Sequence, residues 1–397
     1  LGKMKYIITV GLFVLLGLIF TEKASAAENV SFQVQKKTDI SINIAGEEIK
    51  AGILLPNVEY FGDKKENQLL VPFSNVYESV SLDDSIITKE SNDPAELSKS
   101  KEMIITKRQI VVFDDDKSQH PIGIINRNIR YAAVSSDNPN WLKIYFSGKT
   151  GYILKKFTEE DHGIPVLMYH HILKNSENVN FQNNMTVSYD SFNEQMDYLK
   201  NGGFRTIDLD VLENYLKFHQ NLTGRVVVLT FDDGLLSTIH YAYPILKENH
   251  FRATDFVIGS RLYQHSLPFN SDSLQYMGFN DIRSNKDVFS YESHTFAMHL
   301  RDRDTFEPYL QYKSGEDIVE DLKKWNQFTG IHARYLAYPW GQTNKTAEKA
   351  ASEAGIHMAF TTETGNVNIG DPLLLLKRQG ISRYHSMAAF IEKVENE

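Results

Sequence analysis

Two adjacent carboxylates, Asp232 and Asp233, close the apolar run Val226-Val227-Val228-Leu229-Thr230-Phe231 and are followed by Gly234. Acids at the end of a buried strand are costly unless something compensates their charge. A metal ion is one compensation. The other reading is a helix N-cap, with an Asp at the strand-to-helix turn. Downstream, Ser293-His294-Thr295-Phe296-Ala297-Met298-His299 carries two histidines five positions apart. That spacing suits a loop or strand end better than a regular helix, where a spacing of four would align both rings. Two His and one Asp make the three-ligand set of an open catalytic metal site. The chain has no cysteine, which excludes disulfides, thiolate ligands and a thiol nucleophile. A third segment, Tyr335-Leu336-Ala337-Tyr338-Pro339-Trp340-Gly341, is punctuated by Pro and Gly. It reads either as an ordinary turn or as a strand end exposing backbone N–H groups and an aromatic wall.

A scaffold must bring these segments together. Residues 163–397 alternate apolar runs (164–169, 226–231, 253–258) with helical stretches (191–202, 235–249). The first helix places Phe192, Met196 and Leu199 on one face and stops at a Gly pair. Such an α/β series favours a parallel sheet or barrel with its site at the strand C-termini. Upstream the pattern is β. Residues 28–85 alternate apolar and polar positions, 86–102 read as a polar linker or surface loop, and 103–157 read as five or six short strands. In the last stretch, residues 140–153 read as two strands around a Gly-containing hairpin.

The length of 397 residues predicts two or three domains, and the 42% hydrophobic content excludes wholesale disorder. With 42 Lys+Arg against 51 Asp+Glu, the net charge of −9 argues against nucleic acid as the main partner. Residues 1–26 read as a secretory leader: Lys3 and Lys5, an apolar run from Tyr6 to Phe20, then Ala24-Ser25-Ala26. Its removal would take away Lys3, Lys5, Lys23 and Glu22, shifting the charge from −9 to −11 and leaving no stable membrane span. An uncleaved anchor is the other reading of that segment.

At these motifs, residues 164–385 resemble the polysaccharide deacetylase (NodB-homology) domain of carbohydrate esterase family 4. Thr230-Phe231-Asp232-Asp233-Gly234 matches its first motif, and His294 to His299 its second, in the longer-spaced form of the poly-N-acetylglucosamine subgroup. Ala337-Tyr338-Pro339-Trp340-Gly341 resembles the third motif, and Pro165-Val166-Leu167-Met168-Tyr169-His170-His171-Ile172 the leading motif of that subgroup. The resemblance implies a distorted (β/α) barrel, preceded here by an all-β domain. It also implies one divalent ion (zinc, with cobalt or nickel as alternatives) and hydrolysis of N-acetyl groups on an N-acetylglucosamine-containing glycan, either poly-N-acetylglucosamine or peptidoglycan. Carried over residue by residue, it makes Asp233, His294 and His299 the metal ligands, Asp232 the general base and His170 the general acid. The Trp340 N–H would hold the oxyanion, and Tyr338, Pro339, Trp340 and Arg378 would contact substrate.

Residues 103–158 are similar to a bacterial SH3-like domain, which implies cell-wall contact at a Gram-positive surface; Trp141 would then be either a ligand platform or a core residue. The expected organisation is a leader (1–26), a β-rich region of unknown role with a linker (27–102), the SH3-like domain (103–158) and the deacetylase domain (159–397). Departures from the family pattern keep alternatives open. Ala337 stands where many members have an Arg that tethers the base, with Arg378 as a replacement tether or a surface residue. Trp340 replaces the commoner Tyr or Phe, His385 poorly matches a late acid motif, and Asp255 occupies a usually aromatic position. A catalytically impaired glycan-binding protein and an O-acetyl esterase are the rival functions.

Overall fold

The structure is a computed structural model and describes residues 28–44, 47–65, 68–90, 102–218 and 222–395. The leader expected at 1–26 lies outside the described residues, as does most of the polar stretch after Glu90.

The C-terminal half is built on β1 (Val166–Tyr169), β2 (Phe204–Thr206), β3 (Arg225–Asp233), β4 (Ala253–Val257), β5 (Phe289–Ser293), β6 (Tyr335–Ala337), β7 (Met358–Thr364) and β8 (Leu376–Gly380). Every pairing among them is parallel. The order is β1-β8-β7-β6-β5-β4-β3-β2, and β1 also pairs with β3. Seven strands therefore close a ring. β2 stays outside it, sharing one edge of β3: β2 takes Arg225 to Val227 and β1 takes Val228 to Phe231. This is the distorted α/β barrel expected from the sequence.

Around the ring run α1 (Tyr189–Asn201), α2 (Leu209–Phe218), α3 (Tyr243–Glu248), α4 (Phe279–Ser284), α5 (Tyr309–Tyr312), α6 (Gly315–Thr329), α7 (Lys345–Glu353) and α8 (Met387–Glu395). Ser188 caps α1 by accepting from the Ser191 N–H at 3.1 Å, and Phe192, Met196 and Leu199 are buried as the spacing predicts. The single helix expected at 235–249 is instead a π-turn, Thr238–Ala242, followed by α3. Pro244 lies at the start of α3, and its missing N–H interrupts the regular helical ladder there.

Alternation along the strands divides the barrel into two layers. Val166, Val226, Val228, Phe256, Met358, Phe360 and Leu376 fill its lower interior, while Leu167, Tyr169, Val227, Leu229 and Phe231 pack against the helices. Thr230, Asp232 and Arg378, also buried, make the upper part of the barrel polar.

Among the described residues, the N-terminal half is an antiparallel array of fourteen strands. The two β regions expected as separate units share it. Gly123 to Ile125 pair with Gly52 to Leu54, Phe146 pairs with Phe73, and the Phe73 ring meets Tyr131 edge-on at 4.9 Å. The predicted hairpin is present, Trp141–Phe146 and Lys149–Leu154, turned by Ser147 and Gly148, both at positive φ. Two boundaries are corrected. Part of the expected linker (86–102) belongs to the strand Ser85–Glu90, paired with Glu28–Val34, because its apolar Ile86-Ile87 pair completes a sheet edge. The β region also runs past 158, since Thr158–Glu160 pairs with Met103–Thr106. Trp141 is largely buried, edge-on to Phe113 at 5.8 Å, and one side of it lines a 450 Å³ cavity with Pro139, Asn140, Leu154, Lys155 and Lys156.

The β array meets the barrel at the base. Ile129 bridges to Thr223, and Arg130 donates to the Gly224 carbonyl at 2.9 Å while pairing with Asp161 at 3.0 Å. Those residues immediately precede β3, whose nine residues rise about 3.3 Å each, so the acid pair at its far end lies roughly 25 Å away. No helix among the described residues is long and apolar enough to cross a membrane.

Candidate active site

Four strand ends deliver the expected residues to one place. β3 carries Asp232 and Asp233, β5 runs directly into His294, β1 leads to His170, and β6 leads to the Pro339–Gly341 turn. The Asp233 Oδ1 lies 3.6 Å from His294 Nε2 and 3.4 Å from His299 Nε2. It is buried and has no hydrogen-bond partner. The His294 ring nitrogen Nδ1 bonds the Ala337 carbonyl at 2.7 Å, so Nδ1 carries the proton and Nε2 is free to ligate. One acid and two imidazole nitrogens, within 4.8 Å of one another, fit a divalent ion that prefers mixed N/O ligands. A second cluster, Asp114, Asp115 and His120, meets the same distance criterion on the surface and has no comparable burial.

Asp232 faces a different partner. Arg378 Nη1 and Nη2 donate to its two carboxylate oxygens at 2.8 and 2.7 Å. The same guanidinium donates from Nε to the Thr361 carbonyl at 3.0 Å. Burial alone would raise the Asp232 carboxyl. Arg378, with His294 and His170, overrides that and holds it well below the usual carboxylate range. His170 places Nε2 3.9 Å from Asp232 Oδ2. Burial lowers His170 below the ordinary histidine value, while Asp232 and Asp233 oppose the shift.

Arg378 corrects one expectation. It is completely buried (0% exposed), so it is neither a surface residue nor a sugar contact; it is the tether of Asp232. The small side chain of Ala337 is also at 0% exposure, and β8 supplies the guanidinium that bonds Asp232. The signal was available in the sequence: Leu376 and Arg378 alternate onto the inward face of one strand.

Two further expected substrate contacts are also corrected. Tyr338 is 1% exposed and belongs to the core between sheet and helices, and Pro339 is buried. Of the turn, Trp340 is the residue that reaches the mouth. Its ring lies 4.3 Å from that of His299, and the Arg301 guanidinium sits 4.4 Å from its centroid.

The sequence reading missed Arg301. It also missed Asp321 of α6, which accepts from the Phe296 and Ala297 N–H groups at 2.7 and 2.9 Å and so fastens the loop between the two histidines. Neither has a local sequence signal, because both act across loops. His385 accepts from the Ser382 N–H at 3.1 Å within its own turn. Backbone strain gathers at the site: Asp233, Thr295 and Trp340 have φ of 79°, 67° and 56°. Non-glycine residues, a β-branched Thr above all, pay for that conformation, and surrounding structure must hold them there.

Comparison with known proteins agrees with this arrangement. Residues 219–359 match the sequence profile of the polysaccharide deacetylase family. The Bacillus subtilis protein YxkH, whose name assigns it to the polysaccharide deacetylases, is 28% identical over 240 residues, covering 60% of this chain and 78% of its own. The poly-beta-1,6-N-acetyl-D-glucosamine N-deacetylase of Staphylococcus epidermidis is 26% identical over 223 residues, covering 53% and 75%. Among solved structures, the Streptococcus pyogenes deacetylase PplD in complex with acetate superposes with a TM-score of 0.50 at 25% identity, covering 58% of this chain and 97% of that one. Barrel, motifs and relatives converge: the chain carries an enzymatic domain of the polysaccharide deacetylase family.

Proposed function

We propose that this protein removes N-acetyl groups from an N-acetylglucosamine polymer, poly-N-acetylglucosamine rather than peptidoglycan, outside the cytoplasm. The observation that carries the reading is the division of labour between the two acids. Asp233 faces His294 and His299, and Asp232 is held ionised by Arg378. The long spacing of the histidine motif and the leading Tyr169-His170 favour the adhesin-type polymer.

Asp233, His294 and His299 would hold one divalent ion, zinc by the mixed imidazole and carboxylate chemistry of the set. When bound, such an ion is a Lewis acid that polarises an acyl oxygen and makes water more acidic. Asp232 removes a proton from the attacking water; its depressed affinity for protons keeps it ready as a carboxylate, and Arg378 fixes its orientation. His170 delivers a proton to the leaving sugar nitrogen from beside Asp232. The Trp340 N–H faces the developing oxyanion, and its indole forms a wall of the acetyl pocket. The products are acetate and a glucosamine unit carrying an ammonium.

An impaired, purely glycan-binding protein is suggested by Ala337 and Trp340; the first motive falls away with Arg378 bonded to Asp232, and the second stands until acetate release is measured. The test is acetate release by metal-loaded protein from N-acetylglucosamine oligomers, from peptidoglycan and from O-acetylated xylan. Release from the first alone supports the reading. Release from xylan alone would make the protein an O-acetyl esterase.

A further inference from the structure

Among the described residues, the seam between β5 and β6 is the most thinly paired of the ring. β3 and β4 share four register pairs and β4 and β5 share five, but β5 and β6 share one, Ser293 with Leu336. β6 is three residues long, so it has few ladder bonds to offer. Yet this short strand carries two parts of the site. Its last residue, Ala337, presents the carbonyl that bonds the His294 ring at 2.7 Å, and the Pro339–Gly341 turn follows directly. The φ of 56° at Trp340 in that turn persists only on a firm base.

Glu292 supplies what the ladder lacks. It stands on β5, two positions before His294, and is 9% exposed. Its Oε2 accepts from the backbone N–H groups of Arg334 and Tyr335 at 2.9 and 3.0 Å. A side chain of one strand thus gives the start of the next a backbone partner that the ladder does not provide. Both bonds fall on the same oxygen, so the contact requires one acceptor at the right reach. β6 has a second fastening of another kind. Glu213 of α2 accepts from the Tyr335 hydroxyl at 2.8 Å and pairs with the Arg334 side chain. That clamp ties side chains to a helix, whereas Glu292 ties the backbone to the strand that bears His294.

We propose that Glu292 is a positioning residue: by joining β5 to β6 it keeps the Ala337 carbonyl against the His294 ring and so holds Nε2 toward Asp233 and His299. This role rests on the reading of His294 as a metal ligand. Loss of such support around a ligating imidazole costs about 10–100-fold in metal affinity.

The test sets geometry against charge and against loss of stability alone. Zinc affinity is measured by calorimetry on the full chain. Glu292→Gln keeps one carbonyl oxygen at the same reach and should bind zinc within about threefold of wild type. Glu292→Leu removes the acceptor, and Glu292→Asp keeps the charge but is one methylene short; each should weaken zinc binding by about tenfold or more. Val71→Ala truncates a fully buried side chain of the β array. It controls for lost stability and should leave zinc affinity within about twofold. A second readout needs no metal. In the metal-free protein, nitrogen-15 NMR should show the His294 Nδ1–H exchanging slowly with water in wild type and Glu292→Gln, and about tenfold faster or more in the Leu and Asp variants. Should Glu292→Leu fail to fold, Glu292→Asp decides alone. Unchanged zinc affinity in the Leu and Asp variants, or an equal loss in Glu292→Gln or Val71→Ala, overturns the inference. A wild type that binds no zinc would count against the metal-site reading, while the Nδ1–H exchange still judges the seam.

Discussion

Asp232 and Glu78 are both carboxylates taken out of water, one near the barrel mouth and the other in the β array. Burial pushes both upward, yet they end far apart. Asp232 lies below the ordinary carboxylate range, and Glu78 rises to about 8. The difference is the partner. Arg378 makes two bonds to Asp232, whereas Glu78 has none among the described residues. A buried carboxylate with a built-in cation stays ionised and oriented; one buried without a cation holds its proton.

The comparison breaks most visibly if Arg378 is removed. Arg378→Met should leave an uncompensated buried charge and cost about 3–5 kcal/mol of stability. Turnover should fall by about 10²–10⁴-fold as the base loses its orientation and ionisation. The sign of the pH effect follows from the lowered value. In the wild type the pair contributes stability above the ordinary Asp value, about 3.9, and that contribution is lost as pH falls through the lower folded value. The stability gap between wild type and variant, read by chemical denaturation, should therefore be widest at neutral pH and narrow in acid.

Glu78→Gln should act in the opposite sense. The folded value is raised from 4.5 to about 8, so the native state holds a proton that the unfolded chain releases across that window. Wild-type stability then declines as pH rises from about 4.5 to 8. The variant should melt about 5 °C or more above wild type at pH 9 and level with it near pH 4.

Smaller effects should separate positioning from chemistry at the mouth. Asp321→Ala releases the two N–H groups of the histidine loop and should weaken metal affinity about tenfold or more in calorimetry, with Asp232 still tethered. Trp340→Ala removes the ring between His299 and Arg301 but keeps its backbone N–H. It should lower kcat/KM by about tenfold, mainly through KM, leaving metal binding within a few fold.

The sequence made the catalytic half readable because its motifs are short and each ends a strand. Asp232-Asp233-Gly234 follows a continuous apolar run, and a parallel barrel brings all such ends to one face. His294, His299 and His170 arrive there for the same reason. Roles set by long-range packing were less legible. Arg378 reads locally as a surface residue, a sugar contact or a replacement tether, and only its inward register on the strand decides for the tether. Tyr338 and Pro339 belong to a motif, but alternation turns them into the core. The β half was misjudged in its divisions, because strands 47–54 and 121–125 are distant in sequence and their pairing leaves no local mark. Glu78, in a polar and apolar alternation like its neighbours, had no signal at all.

The most direct measurement is acetate release from N-acetylglucosamine oligomers by the metal-loaded wild type and by Asp232→Asn, with zinc binding measured on both. Zinc bound by both proteins, with acetate released by the wild type and reduced about a thousandfold or more in the variant, is the predicted result. Acetate release at the wild-type rate by Asp232→Asn, or no release by a zinc-loaded wild type, would contradict the account.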